Sequence, residues 1–74
     1  MSVETARRFL HQLSTNQGLQ THFYVVDPHT PDKLLEFARG KGFIFTAEEL
    51  ETALNDFPST PLLDSIRARA RVHA

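Results

Sequence analysis

Three times in this chain a threonine stands at the head of an amphipathic stretch: Thr30 before Pro31, Thr46 three residues ahead of Glu49, and Thr60 before Pro61. Each is a helix start with a mechanism. The hydroxyl accepts from a first-turn amide that has no partner inside the helix. Proline fits the first helical position because its missing amide hydrogen would be unpaired there, and a glutamate three residues after the cap reaches back to the cap amide. Stops follow the starts: Pro28 disfavours helical geometry at Asp27, and Pro58 and Pro61 close the stretch that Thr46 opens. Punctuation this dense divides the chain into short helices and predicts an all-α fold, a small compact bundle of four to five short helices.

The apolar periodicity agrees with those marks. Ser2 caps a first helix over about residues 2–14, with Glu4 favouring its positive end and Val3, Ala6, Leu10 and Leu13 repeating at threes and fours beside Phe9. Ser14, Thr15 and Asn16 end it and cap a second helix, whose apolar face reads Leu19, Phe23 and Val26. Thr30 and Pro31 start a third helix with Leu34, Phe37 and Ala38 inward, and Gly40 is expected to supply the left-handed residue that closes it. Phe43 and Phe45, either side of Ile44, read as a short extended link that fills space between helices. Thr46 and Glu49 form a capping box, Phe45 and Leu50 have the spacing of a hydrophobic staple, and Leu50, Ala53, Leu54 and Phe57 share a face. Leu62, Leu63, Ile66 and Ala70 support a fifth helix that frays near Arg71. Residues 1–57 therefore read as one helical domain and 58–74 as a C-terminal helix with a basic tail.

Composition limits what such a bundle can do. With 74 residues there is room for one small core, and six phenylalanines in a 41% hydrophobic chain are enough to fill it. No cysteine is present, which removes disulfides, thiolate metal sites and thiol nucleophiles together. Neither the N-terminus, with Glu4, Arg7 and Arg8 close together, nor any later stretch has the apolar run of a signal peptide or a membrane span, so a cytoplasmic protein with no membrane partner is expected. The net charge of −1 argues against nucleic acid. All nine acidic residues precede Arg67, which together with Arg69 and Arg71 makes the tail basic.

One stretch invites a chemical reading. Gly40-Lys41-Gly42 places glycines around a lysine ahead of a helix, yet a phosphate loop needs more glycine amides, a lysine directly before serine or threonine, and a buried strand in front. Glu48, Glu49 and Glu51 would also repel a polyanion, so the stretch reads as helix punctuation. His11, His22, His29 and His73 never fall three or four apart, as two metal-binding imidazoles on one helical face would. Ser14, Ser59 and Ser65 lack a glycine elbow, and neighbouring Glu48 and Glu49 diverge on a helix. No catalytic residue, cofactor or metal is expected, and the chain reads as a non-enzyme.

The pattern Ser2, Ala6, Phe9-Leu10, Leu13, Asn16, Leu19, then Thr30 through Ala38, Gly42-Phe43, Phe45-Thr46 and Glu49-Leu50 resembles the Nif-eleven family over residues 2 to about 55. That family comprises small nitrogen-fixation-associated bacterial proteins and related leader segments of ribosomally made peptide precursors. The resemblance implies a helical domain and lends no catalytic residues. Leaders of this type carry a double-glycine-type cleavage site followed by a segment rich in cysteine, serine and threonine, whereas this chain has glycine only at positions 18, 40 and 42 and a helix-like "LLDSIRARARVHA" at its end. The free-standing type is therefore expected: a protein-interaction module with a protein partner of unknown identity. The alternative is a leader or precursor substrate of peptide-modifying enzymes. Candidate contacts are Phe23, Tyr24, Phe43, Phe57, Arg67 and Arg71, and an exposed fifth helix would allow a homodimer through Leu62, Leu63 and Ile66.

Overall fold

Side-chain caps set the five helices of the described residues apart from one another. The computed structural model describes residues 2–70, and these form α1 (Val3–Thr15), α2 (Gln17–Val26), α3 (Pro31–Gly40), α4 (Ala47–Leu54) and α5 (Pro61–Ala70), with no strand among them. Ser2 Oγ accepts from Thr5 N at 3.1 Å. Asn16 serves two helices at once: its amide donates to Gln12 O at 2.8 Å, closing α1, and its Oδ1 accepts from Leu19 N at 3.1 Å, opening α2. Thr30 Oγ1 accepts from Lys33 N with Pro31 at the first position, and Thr60 Oγ1 accepts from Leu63 N in the same way. At α4 the capping box is complete, with Thr46 N donating to Glu49 Oε1 at 2.9 Å and Glu49 N donating to Thr46 Oγ1 at 3.1 Å. A cap of this kind contributes about 1 kcal/mol, which matters in helices too short to be stable alone.

Of the glycines flanking Lys41, the second closes α3. Gly40 remains helical, Lys41 is the cap, and Gly42 takes the left-handed conformation with φ 92°. Phe43 N then donates to Ala38 O and Gly42 N to Arg39 O, the paired bonds of a Schellman ending. The expectation for Gly40 is corrected accordingly: the turn comes where it drops Phe43 onto the core, one turn past Ala38. Gly42→Ala should lower stability by roughly 1–2 kcal/mol because a Cβ is strained at that φ. Gly40→Ala, whose added Cβ meets nothing within 4 Å, should raise stability by roughly 0.5–1 kcal/mol. Urea midpoints of the two variants moving in the same direction would refute this assignment.

The core is built on Phe9. Its ring centroid lies 6.3 Å from that of Phe37, 5.7 Å from Phe43 and 5.6 Å from Phe45, so α1, α3 and the link before α4 meet at one side chain. Phe23 extends the aromatic cluster from α2, edge-on to Phe37 at 5.6 Å. Ala6, Leu10, Leu13, Leu34, Ala38, Leu50, Ala53 and Leu54 complete it. α1 packs most extensively on α4, and α5 lies across α4 and α3 with Leu63, Ile66 and Ala70 in the same cluster. The radius of gyration is 10.9 Å, against about 11 Å for one compact domain of this length. The fifth helix therefore lies against the core and does not project from it.

That placement corrects the residues expected to pair two copies. Leu63 and Ile66 are buried within the chain and Leu62 is half-buried, so α5 has no apolar row to offer a second copy. Val26 is the converse case: read as part of the inner face of α2, it is half-exposed, because Phe23 alone anchors that helix in the core.

Candidate interaction surface

α2 is the one helix of the five without an Asp, Glu, Lys or Arg. Its inner side is Phe23, with Leu19 half-buried. Its outer side leaves Tyr24 60%, Val25 77% and Val26 49% exposed. Single exposed apolar residues are ordinary on a protein surface; here three successive ones, about 100° apart around the helix, leave the outward circumference of the last turn of α2 apolar.

The ends of α2 are fixed from outside it. Asp27 takes a left-handed conformation (φ 50°) and its amide donates to Phe23 O at 2.8 Å. Pro28 is buried beneath, and His29 Nδ1 lies 2.9 Å from Asp27 O. Arg69 reaches over from α5: one guanidinium nitrogen is 3.0 Å from Asp27 Oδ1, another donates to Pro28 O at 3.3 Å, and the group stacks 5.2 Å from the centroid of Phe23. A planar guanidinium that pairs with a carboxylate, a carbonyl and a ring face at once holds the patch in one position.

Between α2 and α3 runs a groove of about 440 Å³. Val26, Pro28 and Phe37 line its floor, His22 stands on the α2 side, and Lys33, Glu36 and Lys41 line the α3 side. The Lys41 ammonium lies 5.6 Å from the Phe37 centroid, and the His22 ring lies 5.3 Å from the same ring.

The candidate contacts have different environments. Tyr24 is exposed and touches Phe23 edge-on at 5.9 Å. Phe23 is fully buried and is corrected to a core anchor. Phe43 and Phe57 are half-buried against the core, Phe43 through its contact with Phe9. Arg67 is also corrected, from a surface contact to a cap. Its guanidinium donates to Leu54 O at 2.9 Å, which also accepts from Phe57 N at 3.1 Å, and to Phe57 O at 2.7 Å in the turn after α4, while Asp64 holds it at 2.8 Å. Arg71 and His73 lie outside the described residues. Arg7 has a similar fastening role: hydrogen bonding to Asp56 and then to Glu4 raises its pKa further, tying α1 to the turn after α4.

Sequence reasoning missed Val25 and Val26 as surface. The signal was present in "QGLQTHFYVV", a helix with no charge on either side, which leaves nothing but apolar groups to face outward at its C-terminal end. Among the described residues no three His, Cys, Asp or Glu side chains converge as metal ligands would, and every buried side-chain nitrogen or oxygen has a hydrogen-bond partner. No described helix is long and apolar enough to cross a membrane.

No curated protein and no solved structure gives a significant match to the chain. A family model does: the Nif11 domain matches residues 1–50, which span α1, α2, α3 and the first turn of α4. With two thirds of its length matched, and with the helix caps Ser2, Asn16, Thr30 and Thr46 all inside the matched span, the chain belongs to the Nif11 family.

Proposed function

We propose that this protein is a non-enzymatic interaction module, a free-standing nitrogen-fixation-associated member of the Nif11 family that works in the cytoplasm and is docked upon by another protein through α2. The observation that carries this reading is the exposed apolar last turn, Tyr24, Val25 and Val26, of an uncharged helix whose only deep anchor is Phe23. A helix that keeps apolar side chains outward, while Arg69 fixes its end from another element, is suited to presenting them. The arginines near the C-terminus support the same reading over nucleic-acid binding, because Arg67 and Arg69 are used inside the fold.

A second reading, a leader or precursor substrate of peptide-modifying enzymes, draws on the family match ending at residue 50. α5 is packed in the core, so modification within Pro61–Ala70 would require that helix to leave it.

Capture from native-host extract, comparing the parent with Tyr24→Asp/Val25→Asp, tests the module. One reproducible partner should be held by the parent and reduced at least about tenfold by the double variant, since losing apolar anchors at an interface commonly costs more than about 1.4 kcal/mol. Unchanged thermal melting of the variant is the necessary control. Equal capture by both proteins, or capture of nothing, would defeat the proposal. Mass spectrometry of the chain from its host separates the second reading: an intact mass is expected, and a trimmed or dehydrated product would establish the precursor.

A further inference from the structure

The patch on α2 borders the groove along α3, and the groove has a charge pattern that the patch lacks. Lys33 and Lys41 stand eight residues apart, roughly 12 Å of helical rise. Both line the groove, and neither has an ion-pair partner among the described residues. Between them the floor is apolar, formed by Val26, Pro28 and Phe37, and Glu36 stands on the rim. Along this wall the order is cation, apolar floor beside one carboxylate, cation.

We infer that this groove receives an extended peptide segment of a partner protein with the pattern acid, any, apolar, any, acid. The match is geometric as well as electrostatic. In an extended strand the first, third and fifth residues point to one face, and four residues of rise span roughly 13 Å. Two carboxylates so spaced would reach Lys33 and Lys41 together while the apolar residue between them meets the exposed side of Val26. A segment with alternate acids spans about half that distance, and one with adjacent acids about a quarter, so each reaches one lysine only. Glu36 sharpens the choice, because it repels a third carboxylate at the centre and its oxygens accept from a peptide amide. A second copy of this chain is a poorer occupant: its exposed Glu48 and Glu51 are carried on a helix, where three residues separate them by about 5 Å along the axis.

This inference rests on the interaction-module reading and specifies the partner chemistry of the same surface. Its probe is a fluorescein-labelled peptide with the core Glu-Thr-Leu-Thr-Glu, titrated with the full chain and followed by fluorescence anisotropy at low salt. Saturable binding is expected, weaker by about fivefold for each of Lys33→Glu and Lys41→Glu, since each replaces an exposed attraction by a repulsion. The double variant should prefer the reversed peptide Lys-Thr-Leu-Thr-Lys. The same-composition peptide Thr-Glu-Leu-Glu-Thr should bind several-fold less tightly than the probe. Absence of saturable binding up to millimolar chain overturns the inference, as does binding indifferent to the lysine reversals. Equal affinity for the two acid spacings also overturns it, reducing the groove to a diffuse positive surface. Sedimentation that shows self-association abolished by Lys33→Glu would assign the groove to a second copy and overturn it too. A host partner captured in a Tyr24- and Val25-dependent manner, together with no peptide binding, would remove this inference and leave the module standing. Peptide binding without any such partner would do the reverse.

Discussion

Phe9→Ala is expected to remove about half or more of the protein's stability at 25 °C. A Phe-to-Ala change at a buried site costs about 3–5 kcal/mol, and a chain of this length has roughly 4–11 kcal/mol in total. Phe9 should fall at the costly end because three aromatic neighbours, Phe37, Phe43 and Phe45, lose their shared contact together. Such pairs contribute about 0.5–1.5 kcal/mol each beyond their buried area. Relaxation around the void is also restricted: Phe43 is held by the Schellman ending of α3 and Phe45 by its place one residue before the capping box of α4. Far-UV circular dichroism at 222 nm against urea is the measurement. The parent should show one cooperative transition and Phe9→Ala one moved to a far lower urea midpoint. Phe9→Leu, which keeps most of the volume, should retain a transition at a lower midpoint. Val25→Ala, on the exposed patch, should stay within about 0.5 kcal/mol of the parent. A Phe9→Ala midpoint close to that of Val25→Ala would mean that the core is not organised around this ring.

The all-α fold and the helix starts were legible because they are local. Ser2, Thr30, Thr46 with Glu49, and Thr60 each bond within three or four residues of themselves, so a short window of sequence contains the whole interaction. The buried faces of α1, α3 and α4 were legible for a related reason, since a stripe at threes and fours identifies its own inner side. Where the deciding partner is distant, the pattern was silent. Arg67 and Arg69 fit the negative end of their own helix, yet their bonds go to carbonyls 10, 13 and 41 residues away. Nothing in the local pattern around Val26 reveals that α2 sinks only Phe23 into the core. Gly40 and Gly42 are both able to close a helix, and the choice depends on where Phe43 meets Phe9. The surface was least legible: an exposed valine and a buried one differ only in what the rest of the chain places over them, and the groove along α3 exists only once Pro28 turns the chain beneath it.

Ending the chain after Phe57 is expected to abolish the cooperative transition, although the family match stops well before that point. The cut removes Leu63, Ile66 and Ala70 and uncovers the apolar faces of α3 and α4 on which they pack. It also removes both long-range arginine clamps. Leu54 O and Phe57 O lose the Arg67 guanidinium, and the turn at Asp27 and Pro28 loses Arg69 together with its stacking on Phe23. The second loss extends the damage beyond α4, because Phe23 is the anchor that holds α2 and its outward row in place. Arg67→Met isolates one clamp. It keeps much of the stem's packing and should cost about 1–3 kcal/mol, chiefly through Phe57 O left without its charged donor. Residues 1–57 alone should show weak helical signal, and a synthetic peptide of residues 58–74 added in trans should restore part of it in a concentration-dependent, saturable way. A 1–57 fragment melting as cooperatively and as high as the full chain would make α5 an appendage. In that case the packed state of α5 would no longer weigh against processing by a peptide-modifying enzyme, and the precursor reading would regain the ground that the buried Leu63 and Ile66 now deny it.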